Sequence, residues 1–290
     1  MLRHTAPVAY KIANTRVLAI DWSGAALHAE RRIWLAEARD DQHLVRLENG
    51  QRRDDLTTWL LQEAARTPRM VIGLDFAFGF PAWFSRAVLH ASSGQAVWAR
   101  VAELGETWLR ACEPPFWGRP GCPRPCDRPG PDLRWTEQAV TPVMGIRPKS
   151  VFQIGGAGSV GTGSLRGMPL LHRLHRAGAC VWPFEAGGWP LVLEIYPRLL
   201  THAVVKSSAA ERERYLDARY PVLAPEHRQA AILSEDAFDA AVSALVMAGC
   251  LADLEKLPPQ TDPRVRLEGR LWHPDWARDE KHDCSFVELR

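Results

Sequence analysis

The sequence predicts an α/β domain: a mixed sheet flanked by helices, with a long insertion after the second central strand. Three observations carry this expectation. The apolar runs Val17-Leu18-Ala19-Ile20, Met70-Val71-Ile72-Gly73-Leu74 and Leu191-Val192-Leu193 are short and bounded by turn residues, as buried strands are. A helical period lies between the first two runs, which implies a parallel crossover. The composition, 46% hydrophobic and 24% charged over 290 residues, is that of an ordinary globular chain.

The elements follow in order. The first run ends at Asp21, ahead of Ser23-Gly24. Residues 33–38 and 43–47 read as two strands, and Asp40-Asp41-Gln42 between them is turn chemistry, so a hairpin is expected. Leu56, Trp59, Leu60 and Ala64 recur at helical spacing over residues 54–66, with Asp54 as the expected N-cap. The second run ends at Asp75. Residues 87–111 read as mostly helical, and residues 114–148, rich in Pro, Gly and Arg, as a long loop. Beyond the glycine-rich residues 155–163, a helix is expected over 169–176 and a strand near 179–184. The third run, residues 191–196, is stopped by Pro197. Helices are expected over 209–219 and 235–254, the second capped by Ser234 and presenting Phe238, Val242, Leu245 and Gly249 on one face. A short strand is expected over 265–271. The organisation is one domain over residues 1–271, with residues 82–188 as a lid or subdomain and 272–290 as a tail.

Several function classes drop out. No apolar stretch approaches the roughly 20 residues of a membrane span, and residues 1–10 lack the apolar core of a signal peptide. Six cysteines in this length are too sparse for a secreted disulfide framework, so a cytoplasmic protein with reduced cysteines is expected, Cys250 buried among them. A net charge of +2 gives no bulk argument for nucleic acid; any such argument must come from local patches.

Carboxylates supply the functional signal. Asp21 and Asp75 each end a buried strand, Glu194 lies within a third, and Asp236 and Asp239 share one face of a helix start. Ligands of open α/β sheets bind at the carboxyl ends of parallel strands. Acids gathered there repel one another, and a hard divalent cation, Mg2+ or Mn2+, resolves the repulsion. Taken singly, each acid has a plainer role: a turn or cap residue for Asp21 and Asp75, a partner of the helix dipole for Asp236 and Asp239, an ion-pair partner for Glu194. Their order along the chain lifts the set above those roles.

In that order the motifs resemble a known family. Val17-Leu18-Ala19-Ile20-Asp21-Trp22-Ser23-Gly24, Ile72-Gly73-Leu74-Asp75-Phe76 with Phe80-Pro81, Leu193-Glu194-Ile195-Tyr196-Pro197 and Asp236-Ala237-Phe238-Asp239-Ala240 are similar to the motifs of the largely uncharacterised predicted ribonuclease-H-like nucleases. The likeness spans about residues 17–271. It implies a ribonuclease-H-like fold and metal-assisted phosphodiester hydrolysis, with Asp21, Asp75, Asp236 and Asp239 as metal ligands, Glu194 joining the catalytic set, and nucleic acid as partner. The alternative is a non-catalytic module that binds nucleic acid or a small ligand on the same fold.

Other motifs compete. Gly156-Ala157-Gly158-Ser159-Val160-Gly161 matches a dinucleotide-binding pattern, but Gly163, Gly167 and Pro169 place the helix start near Met168, which leaves a flexible loop, or at most a cradle for a substrate phosphate. Cys122 and Cys126 have a spacing zinc can use, without a clear fourth ligand. Arg119, Arg124, Arg128, Arg134, Arg147 and Lys149 stand near Trp117 and Trp135, a mixture that suits single-stranded nucleic acid or, equally, a solvated loop with aromatic anchors.

Overall fold

Alternation of side chains along the central strands decides the architecture. In the computed structural model, which describes residues 15–279 apart from position 186, strand β1 (Arg16–Asp21) sends Leu18 and Ile20 into one core layer and Val17 and Ala19 into another. Both faces are buried, which is why the strand reads as a continuous apolar run. Strands β2 (Trp34–Ala38) and β3 (Leu44–Glu48) form the expected antiparallel hairpin beside it. Helix α1 (Arg53–Arg66) returns the chain to β4 (Met70–Leu74), parallel to β1. Arg52, not Asp54, holds the N-cap position of α1; Asp54 lies in the first turn, where its charge suits the helix dipole.

A π-helical turn (Phe84–Val88) precedes α2 (Gly94–Ala111), which is capped by Ser93. Short α3 (Trp135–Ala139) interrupts the Pro-rich segment. Helix α4 (Val160–Arg176) starts inside the glycine-rich residues, not near Met168. The glycines sit where other groups come close: a Cβ on Gly161 would stand 2.1 Å from the Val151 carbonyl oxygen, and one on Gly167 2.6 Å from the Phe76 ring. Tertiary packing thus overrides weak helix propensity. Pro169 lies inside this helix and cannot donate to the Leu165 carbonyl. That carbonyl faces Gly105 of α2, whose lack of a side chain lets the helices approach.

Strand β5 (Cys180–Val181) is shorter than expected, and β6 (Leu191–Ile195) lies parallel to β4. Pro197 ends the strand and also begins helix α5 (Pro197–Thr201), since proline suits a first helical position. Helix α6 (Ala209–Arg219) matches expectation, whereas α7 (Pro225–Leu233) has no predicted counterpart: it buries only Ala231 and Ile232, too few to set a period. The Ser234 hydroxyl caps α8 (Glu235–Gly249), accepting from the Ala237 N–H at 3.2 Å. The helix breaks at Cys250, which is half-buried rather than buried, before α9 (Leu251–Leu254). Where a strand was expected over 265–271, the Asp262 carboxylate accepts from the Arg264 N–H at 2.7 Å and starts helical turn α10 (Val265–Glu268). Strand β7 (Leu271–Trp272) and turn α11 (Trp276–Asp279) follow.

The result is an α/β fold with a mixed seven-stranded sheet, ordered β3-β2-β1-β4-β6-β5. Strand β7 also pairs with β6: β5 meets Leu191 and Val192, and β7 meets Glu194 and Ile195. Helices α1, α2 and α4 cover the Leu18, Ile20, Ile72 and Leu74 face. Helices α5 to α8 cover the Val17, Ala19, Val71 and Leu193 face. Residues 82–188 therefore divide: α2 and α4 make half of the core, and the stretch between them reaches the strand ends. Among the described residues no helix is long and apolar enough to cross a membrane.

Candidate active site

Parallel register sets the first two acids side by side. Ile20 pairs with Leu74, so Asp21 and Asp75 leave adjacent strands at the same sheet edge. Helix α8 packs on β1 and β2 and brings Asp239, 6% exposed, to that edge, with Asp236 one turn earlier. The four carboxyls act on one another. Burial, and then the Asp239 charge, push the Asp75 carboxyl up to about 8. Asp21 is raised well above the usual carboxylate range by burial and then by Asp75, Asp239 and Asp236. Burial lifts Asp239 to about 6 against the pull of Lys206, and lifts Asp236 with help from Glu235.

Glu194 lines the cleft beside Asp75 and its charge also raises that carboxyl, but it is itself paired. Its carboxylate accepts from Arg134 Nη1 at 2.8 Å, from Arg134 Nη2, and from the Phe78 N–H at 3.0 Å. Arg134 also donates through Nε to Glu137 at 2.7 Å and through Nη1 to the Glu268 carbonyl at 2.9 Å. This buried network ties the Pro-rich segment to β6, to the chain beyond β4, and to α10. Its part is to hold those elements in register.

Lys206 is the residue that sequence reasoning misses. It lies between α5 and α6, with Nζ on Asp239 Oδ2, and its charge relieves each of Asp21, Asp75, Asp236 and Asp239. No period or motif marks it; only a lysine among apolar neighbours, Ala203-Val204-Val205, hints at burial.

Asp21, Asp75 and Asp236 border a cleft with two compartments that share Trp22, Gly24 and Ser159, whereas Asp239 lines neither. The smaller, about 240 Å³, is lined by Asp75, Phe76, Ile195, Tyr196 and Lys149. The larger, about 610 Å³, is lined by Asp21, Asp236, Arg32, Arg119, Arg166 and Thr162. The loop after β1 is clamped from both sides: Arg53 donates to the Ser23 and Ala25 carbonyls at 2.8–3.0 Å, and Arg166 to the Gly24 carbonyl at 2.5 Å. A Cβ on Gly24 would stand 2.3 Å from the Gly163 nitrogen, so the loop lies directly on the first turns of α4. Gly24→Ala is expected to cost about 1–3 kcal/mol, since backbone cannot yield as a side chain does. Urea unfolding of the variant checks this, and an unchanged midpoint would mean that the loop moves freely.

The raised carboxyls carry a pH signature. Between the unfolded value near 4 and a folded value near 8, the native Asp75 holds a proton that the unfolded chain has lost. Stability then falls as pH rises through that window and is fully retained below it. Melting temperatures recorded in chelator from pH 5 to 9 should decline, and Asp75→Asn should flatten the decline.

All candidate donors are carboxylate oxygens, and Asp239 Oδ1 is buried without a hydrogen-bond partner. Among the described residues, however, no three His, Cys, Asp or Glu side chains stand together as a ready metal-ligand group. Cys122 contacts Cys112, whose thiol is pushed up by burial, while Cys126 is exposed. Comparison with protein-family models, with curated proteins and with solved structures gives no match.

Proposed function

We propose that this chain is a metal-dependent phosphodiester hydrolase, a ribonuclease-H-like nuclease of the cytoplasm that acts on nucleic acid with Mg2+ or Mn2+. The observation that carries the reading is the nearness of Asp21, Asp75, Asp236 and Asp239 at one end of the sheet, where the charges of the others raise the Asp21 and Asp75 carboxyls. The mixed sheet flanked by helices is compatible with it. The donor type suits a hard cation: carboxylate oxygens only, one of them, Asp239 Oδ1, buried and unsatisfied, though no three stand together as a ready group among the described residues. Asp21, Asp75 and Asp239 would hold the ion and Asp236 would adjust it. Bound there, such an ion supplies an acidified water and neutralises charge on the phosphate.

The remaining work falls to the chain's own residues. Arg32, Arg119 and Arg166 line the compartment that holds Asp21 and Asp236, and so offset the repulsion between an anionic substrate and the acids. Trp22 and Phe76, with ring centroids 5.5 Å apart, give the smaller compartment an apolar wall against which a base can stack. Glu194, held by Arg134, keeps β6 and the Phe78 backbone in place.

A panel of labelled DNA, RNA and branched substrates, each with Mg2+, Mn2+ or chelator, tests the reading. Cleavage that requires the metal and is lost in Asp75→Asn supports it. Absence of cleavage on every substrate overturns it. The lack of a ready three-donor group, together with the Lys206–Asp239 pair, favours a second reading, a binding module that performs no chemistry. Tight binding in chelator without turnover would identify that module.

A further inference from the structure

Positive charge gathers around the loop that follows β1. Arg32, Arg119 and Arg166 line the larger compartment from three separate parts of the chain, opposite Asp21 and Asp236. Arg53 stands beside them; burial, and then the Arg166 charge, lower its guanidinium from the usual range, the mark of crowded positive charge. The acceptors of the loop are already taken. Arg53 binds the Ser23 and Ala25 carbonyls, and Arg166 binds the Gly24 carbonyl while Glu106 holds its Nε at 2.7 Å. An anion entering here therefore meets guanidiniums without competing carbonyl oxygens from that loop.

Helix α4 begins at the same wall. It is 17 residues long, and its N-cap Ser159 and first-turn Thr162 both line the compartment. The Ser159 hydroxyl makes no capping bond, and a helix N-terminus attracts anions. A second group points to a ligand. Trp22 lines both compartments and is 7% exposed, yet its indole Nε1 is buried without a hydrogen-bond partner. Its Cδ1, next to that nitrogen, lies 3.9 Å from where a Cβ on Gly163 would stand. The N–H edge of the ring thus faces the first turn of α4, where that turn borders the cleft.

We propose that the larger compartment binds a phosphate monoester, the terminal phosphate of a nucleotide whose base lies against Trp22 and Phe76 in the smaller one. The wall of Trp22, Gly24 and Ser159 common to both compartments joins the two halves of such a ligand. A monoester carries a charge of about −1.5 to −2 at pH 7 and three acceptor oxygens, which suits several guanidiniums better than the single charge of a diester. The identity of the ester rests on the nucleic-acid reading above; the phosphate contact needs neither metal nor turnover.

Calorimetric titration in chelator tests the proposal, with a nucleoside 5′-monophosphate, the bare nucleoside and inorganic phosphate as probes. Wild type is expected to bind the monophosphate about tenfold or more tighter than the nucleoside, as charge-assisted contacts allow, and inorganic phosphate should compete. Arg119→Gln should remove most of that difference and leave nucleoside binding unchanged. The turn at Arg119 survives the substitution, because it rests on the Arg119 carbonyl accepting from the Cys122 N–H at 2.9 Å. Arg32→Gln, at an exposed position, is a second neutral variant. Trp22→Phe keeps a ring and loses the N–H, and should weaken the monophosphate more than the nucleoside. Equal binding of monophosphate and nucleoside by wild type, or a preference that survives both arginine variants, overturns the proposal. Oligonucleotides identify the source. A 5′-phosphorylated strand favoured over its 5′-hydroxyl twin places the phosphate at a strand end, a preference confined to the mononucleotide marks a free nucleotide, and either upholds the site. The two readings fail separately. Phosphate-dependent binding by a chain that cleaves nothing upholds the site and sinks the hydrolase. Metal-dependent cleavage without any preference for the phosphate does the reverse.

Discussion

Arg134→Ala is expected to destabilise the protein by about 3–5 kcal/mol, the range for breaking a buried ion pair from one side. The guanidinium is 1% exposed and satisfies Glu137 and Glu194 together, so its loss leaves two buried carboxylates without their counter-charge. The Glu268 carbonyl loses a donor as well. Burial already pushes the Glu137 carboxyl up, and without Arg134 that acid would take up a proton on folding. Stability of the variant should therefore improve as pH is lowered toward 5, whereas a simple loss of packing would be indifferent to pH. Urea unfolding at pH 5 and pH 8 separates the two. A loss under 1 kcal/mol would mean that water reaches Glu194. The same result bears on the Pro-rich segment, which cannot be deleted as a detachable lid. It carries Arg134, and its Phe116 packs with Phe80 and Phe84 in the core, where Phe152 just beyond it joins them.

Asp21→Asn is expected to act in opposite directions on stability and on hydrolysis. The substitution keeps the size of the side chain and removes a charge that three neighbouring carboxylates oppose. In chelator at pH 8 the variant should gain about 1–2 kcal/mol, a figure reduced for solvent at the open cleft. That corresponds to a melting temperature higher by roughly 2–8 °C. With Mg2+ or Mn2+ the order should reverse, because wild type gains from the ion and the variant gains less. Hydrolysis should fall by roughly 10³-fold or more, as when a preorganised charge is removed from a transition state. Calorimetry and turnover, each with metal and with chelator, check the pair of effects. A variant that keeps wild-type activity would show Asp21 to be a strand-end residue only.

How much of this was legible in the sequence depends on what set each feature. Strands β1, β4 and β6 are buried on both faces, so their apolar runs are continuous and their ends, with Asp21 and Asp75, stand out. The hairpin and the Ser234 cap are local chemistry and were readable for that reason. The start of α4 was not, because its glycines are dictated by Val151 and Phe76, which are distant in sequence or fold in irregularly. Helix α7 hides because two buried residues make no period. Lys206 and Arg134 hide for a different reason. Each lies outside the strands, and its importance comes entirely from an acid contributed by another element. A motif scan finds the carboxylates and misses the cations that make their burial tolerable.

The sheet order has a consequence for how the molecule is made. Asp21 leaves the ribosome before β4, the parallel partner of its strand, before β6 beyond that, and well before the helix bearing Asp239. Strand β7, the last of the described strands in chain order, completes the edge of β6 next to Glu194. The site is thus closed by contacts of very long sequence separation, which fold slowly. A nascent chain that has reached α4 contains Asp21 and Asp75 but not yet Lys206 or β6. Its β4 edge stays unpaired until β6 emerges, and an open strand edge is a surface on which chains associate. Assembly of the carboxylate cluster therefore waits for α8, and the β4 edge is open before the counter-charge of Lys206 arrives.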